Sequence, residues 1–517
     1  MKMVKSLILG SAAGLLAMSG AQAADLPVKA KAVEYVRICS LYGAGFFYIP
    51  GTDTCIKLGG YLRVDTTFNG EPYDEPAWSG DPGQRNRYRD YFASRSRMAL
   101  TVDTRTATEY GVVRTFGQLD WSHASPSGSV REVGFAGQAG GLNNGNQVNV
   151  EFLFLQFAGF TFGRSASAYA TPWHGYPGNN SSFLVGGHDT VTGTNNIQYT
   201  AQFGNGVSGT IGLDDPLAFN RGAVFNLATG GASLGTLTTQ TLSAIGQGQN
   251  AYAGVHSPDV VGNIRIDQAW GLFQFSAAAH EVDASYNNLT LGAANNFSEI
   301  SGHPETKWGG SVMAALNIKN IPTGAGDDIK FDVSWSKGDI KNTNGTSSSV
   351  RPYAIFGSSG TAYQSLGFGV ATDGVFLPVA AGGDGRIHLT EGFGLRGAFN
   401  HNWDPYWSSS LFGGFAAVRY DGTAKAGFCA AYASSNPGFR SADFSCNPDF
   451  NISELGVITR WTPVKNLTFS AEVMWTHLDQ KFTGSALLTP TAPKPTAVYE
   501  FKDQDTVSLN VRAQRNF

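Results

Sequence analysis

Arg63, Arg95, Arg97 and Arg114 each stand in a stretch where polar and apolar residues alternate. A guanidinium is always charged and presents a planar fork of donors. Several on one surface would hold or steer anions, a task that breaks no covalent bond. Asp65, Asp103, Asp120 and Glu151 lie among them and would neutralise part of that charge. A second group lies in 169–193, where Tyr169, Trp173, His174, Tyr176, His188 and Asp189 sit among Gly, Pro and Asn. The rings could stack on a sugar or pack the segment against a wall. The histidines would add charge that depends on pH.

Signatures of bond-making chemistry are missing. The nine histidines form no HExxH and no metal-ligand spacing, and no G-x-S-x-G elbow occurs. Asp and Glu are scattered singly, and Gly-x-Gly patterns are expected by chance among 65 glycines. This argues against an enzyme, a metal and a cofactor. A net charge of -4 gives no reason to expect a nucleic-acid partner.

The elements that must position the arginines are strands. In 57–68, Leu62, Val64 and Phe68 share one face while Tyr61, Arg63 and Asp65 take the other. In 91–103, Phe92, Met98, Leu100 and Val102 oppose Arg95, Arg97, Thr101 and Asp103. In 110–121, Val113, Leu119 and Trp121 oppose Arg114, Gln118 and Asp120. Period two is the strand signal. About sixteen such segments are predicted, at 57–68, 90–105, 109–121, 148–158, 159–168, 194–203, 207–214, 259–270, 272–282, 307–319, 328–337, 386–402, 406–420, 450–462, 466–478 and 504–517.

Connector lengths alternate. Gly204-Asn205-Gly206, Trp270-Gly271-Leu272 and Pro463-Val464-Lys465-Asn466 are short, whereas 70–89, 122–147, 169–193, 215–258, 283–306, 338–385, 421–449 and 479–503 are long. Short turns on one side and long loops on the other suit an outer-membrane barrel. Four lumen arginines fit that reading, since each would cost ~2–4 kcal/mol facing lipid at mid-depth. A sheet in lipid can have no free edge. The last segment, VSLNVRAQRNF, is therefore expected to close the ring against the first strand, with Phe517 in the periplasmic aromatic girdle.

The start of the chain agrees. Residues 1–23 carry Lys2 and Lys5, an apolar run and Ala21-Gln22-Ala23, the pattern of a cleaved secretory signal. Charged residues make up only 15% and aromatics 12%. The cysteines fall into two local pairs, Cys39 with Cys55 and Cys429 with Cys446. In an oxidising compartment these read as disulfides, each contributing roughly 3 kcal/mol in the chain-entropy model. The expected organisation is a signal peptide at 1–23, a segment at 24–56 before the first strand, and a barrel over 57–517. An aromatic-rich band, Phe152, Phe154, Phe157, Phe160 and Phe162, is expected to face a neighbouring subunit or lipid.

One stretch is similar to a known family. Val33-Glu34-Tyr35-Val36-Arg37, then Tyr42 through Gly51, Cys55 and Gly59-Gly60-Tyr61-Leu62-Arg63 resemble the start of the alphaproteobacterial general porins. The resemblance implies an all-β, sixteen-stranded antiparallel transmembrane barrel with short periplasmic turns, long external loops and a third loop folded inward. It implies a homotrimer in the outer membrane, among its lipids and lipopolysaccharide, passing small hydrophilic solutes by diffusion. Phe517 looks like the signal read by barrel-assembly machinery. The constriction would lie between the basic wall of Arg63, Arg95, Arg97 and Arg114 and the third loop. The alternative is a channel specific for a sugar or an anion.

Overall fold

The computed structural model describes residues 37–517 apart from 72, 74, 79–82, 84, 86–88, 126–144, 174, 189–191, 217–220, 229–248, 291, 346–351, 360–363, 436 and 491–493. The expected signal at 1–23, His174 and Asp189 lie outside the described residues.

Sixteen antiparallel strands form a closed barrel. They are β1 (Cys55–Phe68), β2 (Phe92–Thr108), β3 (Gly111–Ser125), β4 (Gly145–Phe157), β5 (Phe160–Ser165), β6 (Thr194–Gly204), β7 (Val207–Asp214), β8 (Asp259–Gln268), β9 (Gly271–Val282), β10 (Lys307–Lys319), β11 (Asp328–Lys337), β12 (Glu391–Asn402), β13 (Trp407–Arg419), β14 (Phe450–Val464), β15 (Leu467–Gln480) and β16 (Gln504–Asn516). Each predicted segment corresponds to one of them. The twelfth starts later than expected because His388–Leu389 pairs elsewhere, with Gly374–Phe376. Closure runs from Tyr61 opposite Asn516 to Phe68 opposite Leu509. At Gly60 (φ 155) a Cβ would fall 2.0 Å from the Ala99 carbonyl oxygen, so the close approach of β1 to β2 requires glycine there.

Apolar side chains on the outer face are exposed in the single chain, as a lipid-facing surface requires: Leu62, Val64, Met98, Leu455, Val457, Val473 and Val511. Trp121, Trp308, Trp335 and Trp475 mark the loop end, and Trp270, Trp403, Trp407 and Trp461 the turn end. These are the two aromatic girdles of a membrane barrel. The turns are tight because the sequence supplies left-handed residues. Ala158-Gly159 have φ of 49 and 88, and Asn205-Gly206 of 50 and 74. Two positive φ values in a two-residue link match the twist of a hairpin.

The segment before β1 extends the sheet at the turn end. Phe47–Tyr48 pairs with Cys55 and Ile56, and the Cys39–Cys55 disulfide ties it down. Phe46 is buried and its ring lies under the Arg105 guanidinium, 4.9 Å from Cζ to centroid.

The long connections fold together. One small sheet joins Val224–Asn226, Gln249–Asn250, Gly374–Phe376 and His388–Leu389. Another joins Pro352–Gly357, Ser365–Val370, Ser485–Leu488 and Ala497–Phe501. A helix, Gly422–Ser435, is stapled by Cys429–Cys446. One apolar core runs through these pieces and includes Trp78, Phe183, Phe225, Tyr353, Phe428 and Phe501, resting on the wall residues Val418, Phe450, Ile452 and Leu478.

Candidate pore constriction

Alternation places the four predicted arginines on the inner face of β1, β2 and β3, and antiparallel register sets them beside acids. Arg95 faces Asp65 across the β1–β2 pair, 2.7 Å from Nη2 to Oδ2. Asp65 also accepts a hydrogen bond from Arg512 Nε on β16. Arg97 Nη1 lies 2.9 Å from Asp120 and 3.4 Å from Glu151. Arg114 Nη2 lies 3.0 Å from Asp103, whose Oδ2 is 2.9 Å from Arg105 Nη2. Arg63 donates to Gln514 Oε1 at 2.8 Å and lies over the Tyr61 ring. Asp65, Arg95, Arg97 and Asp120 are buried. The result is a ladder of paired charges with the guanidiniums in excess, six against four carboxylates among Arg63, Arg95, Arg97, Arg105, Arg114, Arg512, Asp65, Asp103, Asp120 and Glu151.

Glu151 reaches this ladder through a bulge. The β3–β4 register shifts between Gln118 and Leu119, leaving Glu151 as the extra residue between Phe152 and Val150. Without that shift a strand with Phe152 inward would turn Glu151 outward.

The third loop lies against β8–β15, and its tip reaches β16, where Arg512 Nη1 donates to Asn180 O at 3.4 Å and Asn180 Nδ2 to Asn510 Oδ1 at 3.3 Å. Asn263 and Gln274, on β8 and β9, donate to the Ala168 and Ala170 carbonyls at 2.6 and 2.7 Å. Asn400 on β12 donates to Pro177 O at 3.1 Å. At the far turn, Glu472 on β15 accepts the Asn180 and Ser181 backbone N–H groups. On the way back, Glu454 on β14 accepts Val185 N–H at 2.8 Å, and Arg396 on β12 donates to His188 O at 2.6 Å. Carboxylates and amides of the wall thus satisfy loop backbone groups that water would otherwise hold.

Glycines set how close the loop lies. A Cβ at Gly414 on β13 would be 2.2 Å from Val185 O, and one at Gly394 on β12 would be 2.5 Å from Gly186 O.

Of the loop's predicted residues, Tyr169, Trp173, Tyr176 and His188 turn to the wall. Tyr169 and Trp173 are buried with Val261, Met313 and Ala315. Tyr176 is buried with Ala398, Phe412 and Ile458. His188 is buried, its Nδ1 2.6 Å from Asn342 Oδ1 and its ring edge-on to Tyr169. The expected aromatic band also divides. Gln156 and Phe154 point inward with Arg114, and the Phe154 ring stacks on Phe116 at 5.3 Å. Leu153, Leu155, Phe160 and Phe162 are exposed on the outer face. The expectation of one outward band is therefore corrected for Phe152 and Phe154: period two puts them in the lumen.

Sequence reasoning missed Arg105, Arg512, Glu454, Glu472 and the Phe183-Leu184-Val185 run. The alternating register marks both arginines as inward. The apolar triplet inside a Gly- and Asn-rich loop was a sign that this part is buried.

A family model described as the porin subfamily matches residues 25–510. Porin Omp2b of Brucella suis is 34% identical over 305 residues, 58% of this chain and 72% of that protein. Porin Omp2b of Brucella abortus (strain 2308) is 35% identical over 273 residues, 52% of this chain and 63%, under two thirds, of that protein. Among solved structures, the outer membrane channel DcaP of Acinetobacter baumannii superposes with a TM-score of 0.55 at 14% identity, covering 91% of this chain and 99% of that one.

Proposed function

The chain belongs to the porin subfamily, and from that membership we propose how its barrel passes solutes. It is a channel of the outer membrane through which small hydrophilic solutes and ions diffuse. The passage runs between the charged ladder of β1–β4 and the inner surface of the third loop, whose tip meets Arg512 on β16. The observation that carries this is the anchoring of the loop to β8–β15, away from Arg63, Arg95, Arg97 and Arg114, with only its tip at Asn180 meeting the ladder at Arg512. A sugar-specific slide has no support from the loop, because Tyr169, Trp173 and Tyr176 are packed against the wall.

The excess of guanidiniums gives the passage a weak preference for anions. Planar-bilayer recording under a salt gradient tests both parts. Linear conductance steps with a reversal potential of anion sign are expected. A folded sample without steps overturns diffusion, and a cation-signed potential overturns the charge assignment.

The finer reading is a homotrimer. β5 has six residues. At about 3.3 Å per residue and a tilt near 45°, it rises only ~14 Å, short of the ~25 Å apolar band. A partner barrel would cover that low stretch of wall, and Leu153, Leu155, Phe160, Phe162, Ile197 and Tyr199 give it an apolar outer face. Lipopolysaccharide at the loop-end rim and barrel-assembly machinery acting on β16 and Phe517 complete the partners in this reading.

A further inference from the structure

Arginine in a pore wall needs only water and a carboxylate. Here each wall arginine named below also lies over an aromatic ring. At the loop end, the Tyr73 ring sits 4.8 Å from Arg95 Cζ and 5.7 Å from Arg97 Cζ. Arg63 lies 4.6 Å over Tyr61. Further down, Arg114 lies 5.2 Å from the Phe116 centroid and 5.5 Å from that of Phe154. At the turn end, Arg105 lies 4.9 Å from Phe46 and 5.7 Å from Tyr42. Arg95 and Arg105 are ten residues apart on one strand, or about 34 Å along it. The stacks therefore follow much of the passage.

Phe116 and Phe154 are the telling pair. Both stand at inward positions, where alternation calls for polar residues, and both remain partly exposed. An apolar ring facing pore water forgoes the burial that normally favours it. The edge of the adjacent guanidinium is held by Asp103 and Gln156, so its flat face is what meets the rings. Such a site offers charge and a π surface side by side. Chloride uses only the charge. A saturated carboxylate uses the charge and apolar contact. A planar ring bearing a carboxylate can pair with a guanidinium N–H and also stack, on a guanidinium face or on a phenyl ring.

We propose that the inner face of β1–β4 is a low-affinity binding track for aromatic carboxylates, with Arg114, Phe116 and Phe154 as its central station. This rests on the reading of that face as the open wall of the channel.

The test uses the full-length barrel in a planar bilayer and two probes of like charge and size, benzoate and cyclohexanecarboxylate. Benzoate is expected to reduce the potassium chloride current saturably, with a half-effect at a concentration about fivefold below that of the saturated acid. Replacing both Phe116→Leu and Phe154→Leu is expected to bring the two probes level, with retained resistance to detergent showing that the barrel is folded. Equal potency of the two probes on the parent channel overturns the proposal without any variant. A ratio that survives in the folded leucine pair overturns the central station. Absent chloride steps in a folded sample overturn the channel reading and this inference with it. Chloride steps without discrimination overturn only the inference.

Discussion

Asp65 is one carboxylate held by two guanidiniums, Arg95 from β2 and Arg512 from β16, so it joins three strands at the closure seam. Removing one member of a buried charge group costs roughly 3–5 kcal/mol, because the others are left uncompensated. Asp65→Asn is therefore expected to lower the temperature at which the barrel loses detergent resistance. It should also move the reversal potential further toward anion preference. An unchanged potential in a folded variant would show that this part of the ladder lies outside the conducting path. A second residue-scale prediction concerns Asp339, just past β11. Burial pushes its carboxyl up to about 7, while its Oδ2 accepts from Ser311 and Asn342. In the unfolded chain the group would ionise near pH ~4. Between these values the folded state holds a proton that the unfolded state has lost. The stability contributed by this group is therefore complete below about pH 4 and falls away as pH rises toward about 7. Asp339→Asn stays neutral throughout, so its melting temperature should gain on the parent's by a few degrees between pH 4 and 8. A constant difference would show that Asp339 does not titrate there. The inward arginines were legible in the sequence because period two assigns faces. Glu151 was named with the neutralising acids, but the bulge that turns it inward was not legible, because a bulge is set by the pairing of two strands rather than by either strand alone.

At the scale of elements, the position of the third loop depends on wall glycines as much as on hydrogen bonds. Gly414→Val would force side-chain atoms into the space held by the Val185 carbonyl, 2.2 Å from where the first of them must sit. The loop segment 183–188 should lift off β13, changing single-channel conductance while the barrel stays folded. A parental conductance would mean that this segment does not border the passage. The Cys429–Cys446 staple acts on a different element. Replacing both cysteines with serine should cost about 3 kcal/mol of local stability. Limited proteolysis should then cut between 430 and 446 in an otherwise intact barrel, and resistance equal to the parent's would count against the staple. All sixteen strands were legible, because each needs only its own alternation and a turn. The small sheets over the mouth were not. Val224–Asn226 pairs in parallel with Gly374–Phe376, 150 residues away in the chain, and neither is long enough to show a period. Short strands of this kind owe their existence to partners, not to pattern.

For the whole molecule, the low wall at β5 gives a prediction about assembly. Ile197 is 53% exposed on the outer face next to it. Ile197→Lys would put a charge where the proposed partner barrel packs. Unheated gel electrophoresis should then show monomers in place of trimers, while a trimer of parental stability would place the interface elsewhere. The apolar outer face was readable from sequence, but the shortness of β5 was not. Residues 166–168 continue a plausible strand pattern, yet Ala168 instead packs inward with Tyr169.

Among the described residues, six of the long connections contribute to the core around Tyr353 and Phe450. The relief that this protein turns toward its surroundings is consequently inherited as a block. A phage or antibody that selects against one loop cannot be evaded by freely rewriting that loop, because Trp78, Phe225, Phe428 and Phe501 come from four different loops and must still fit one another. Variation among descendants should collect at exposed positions such as Val379 and Phe439, where a change disturbs no neighbour's packing.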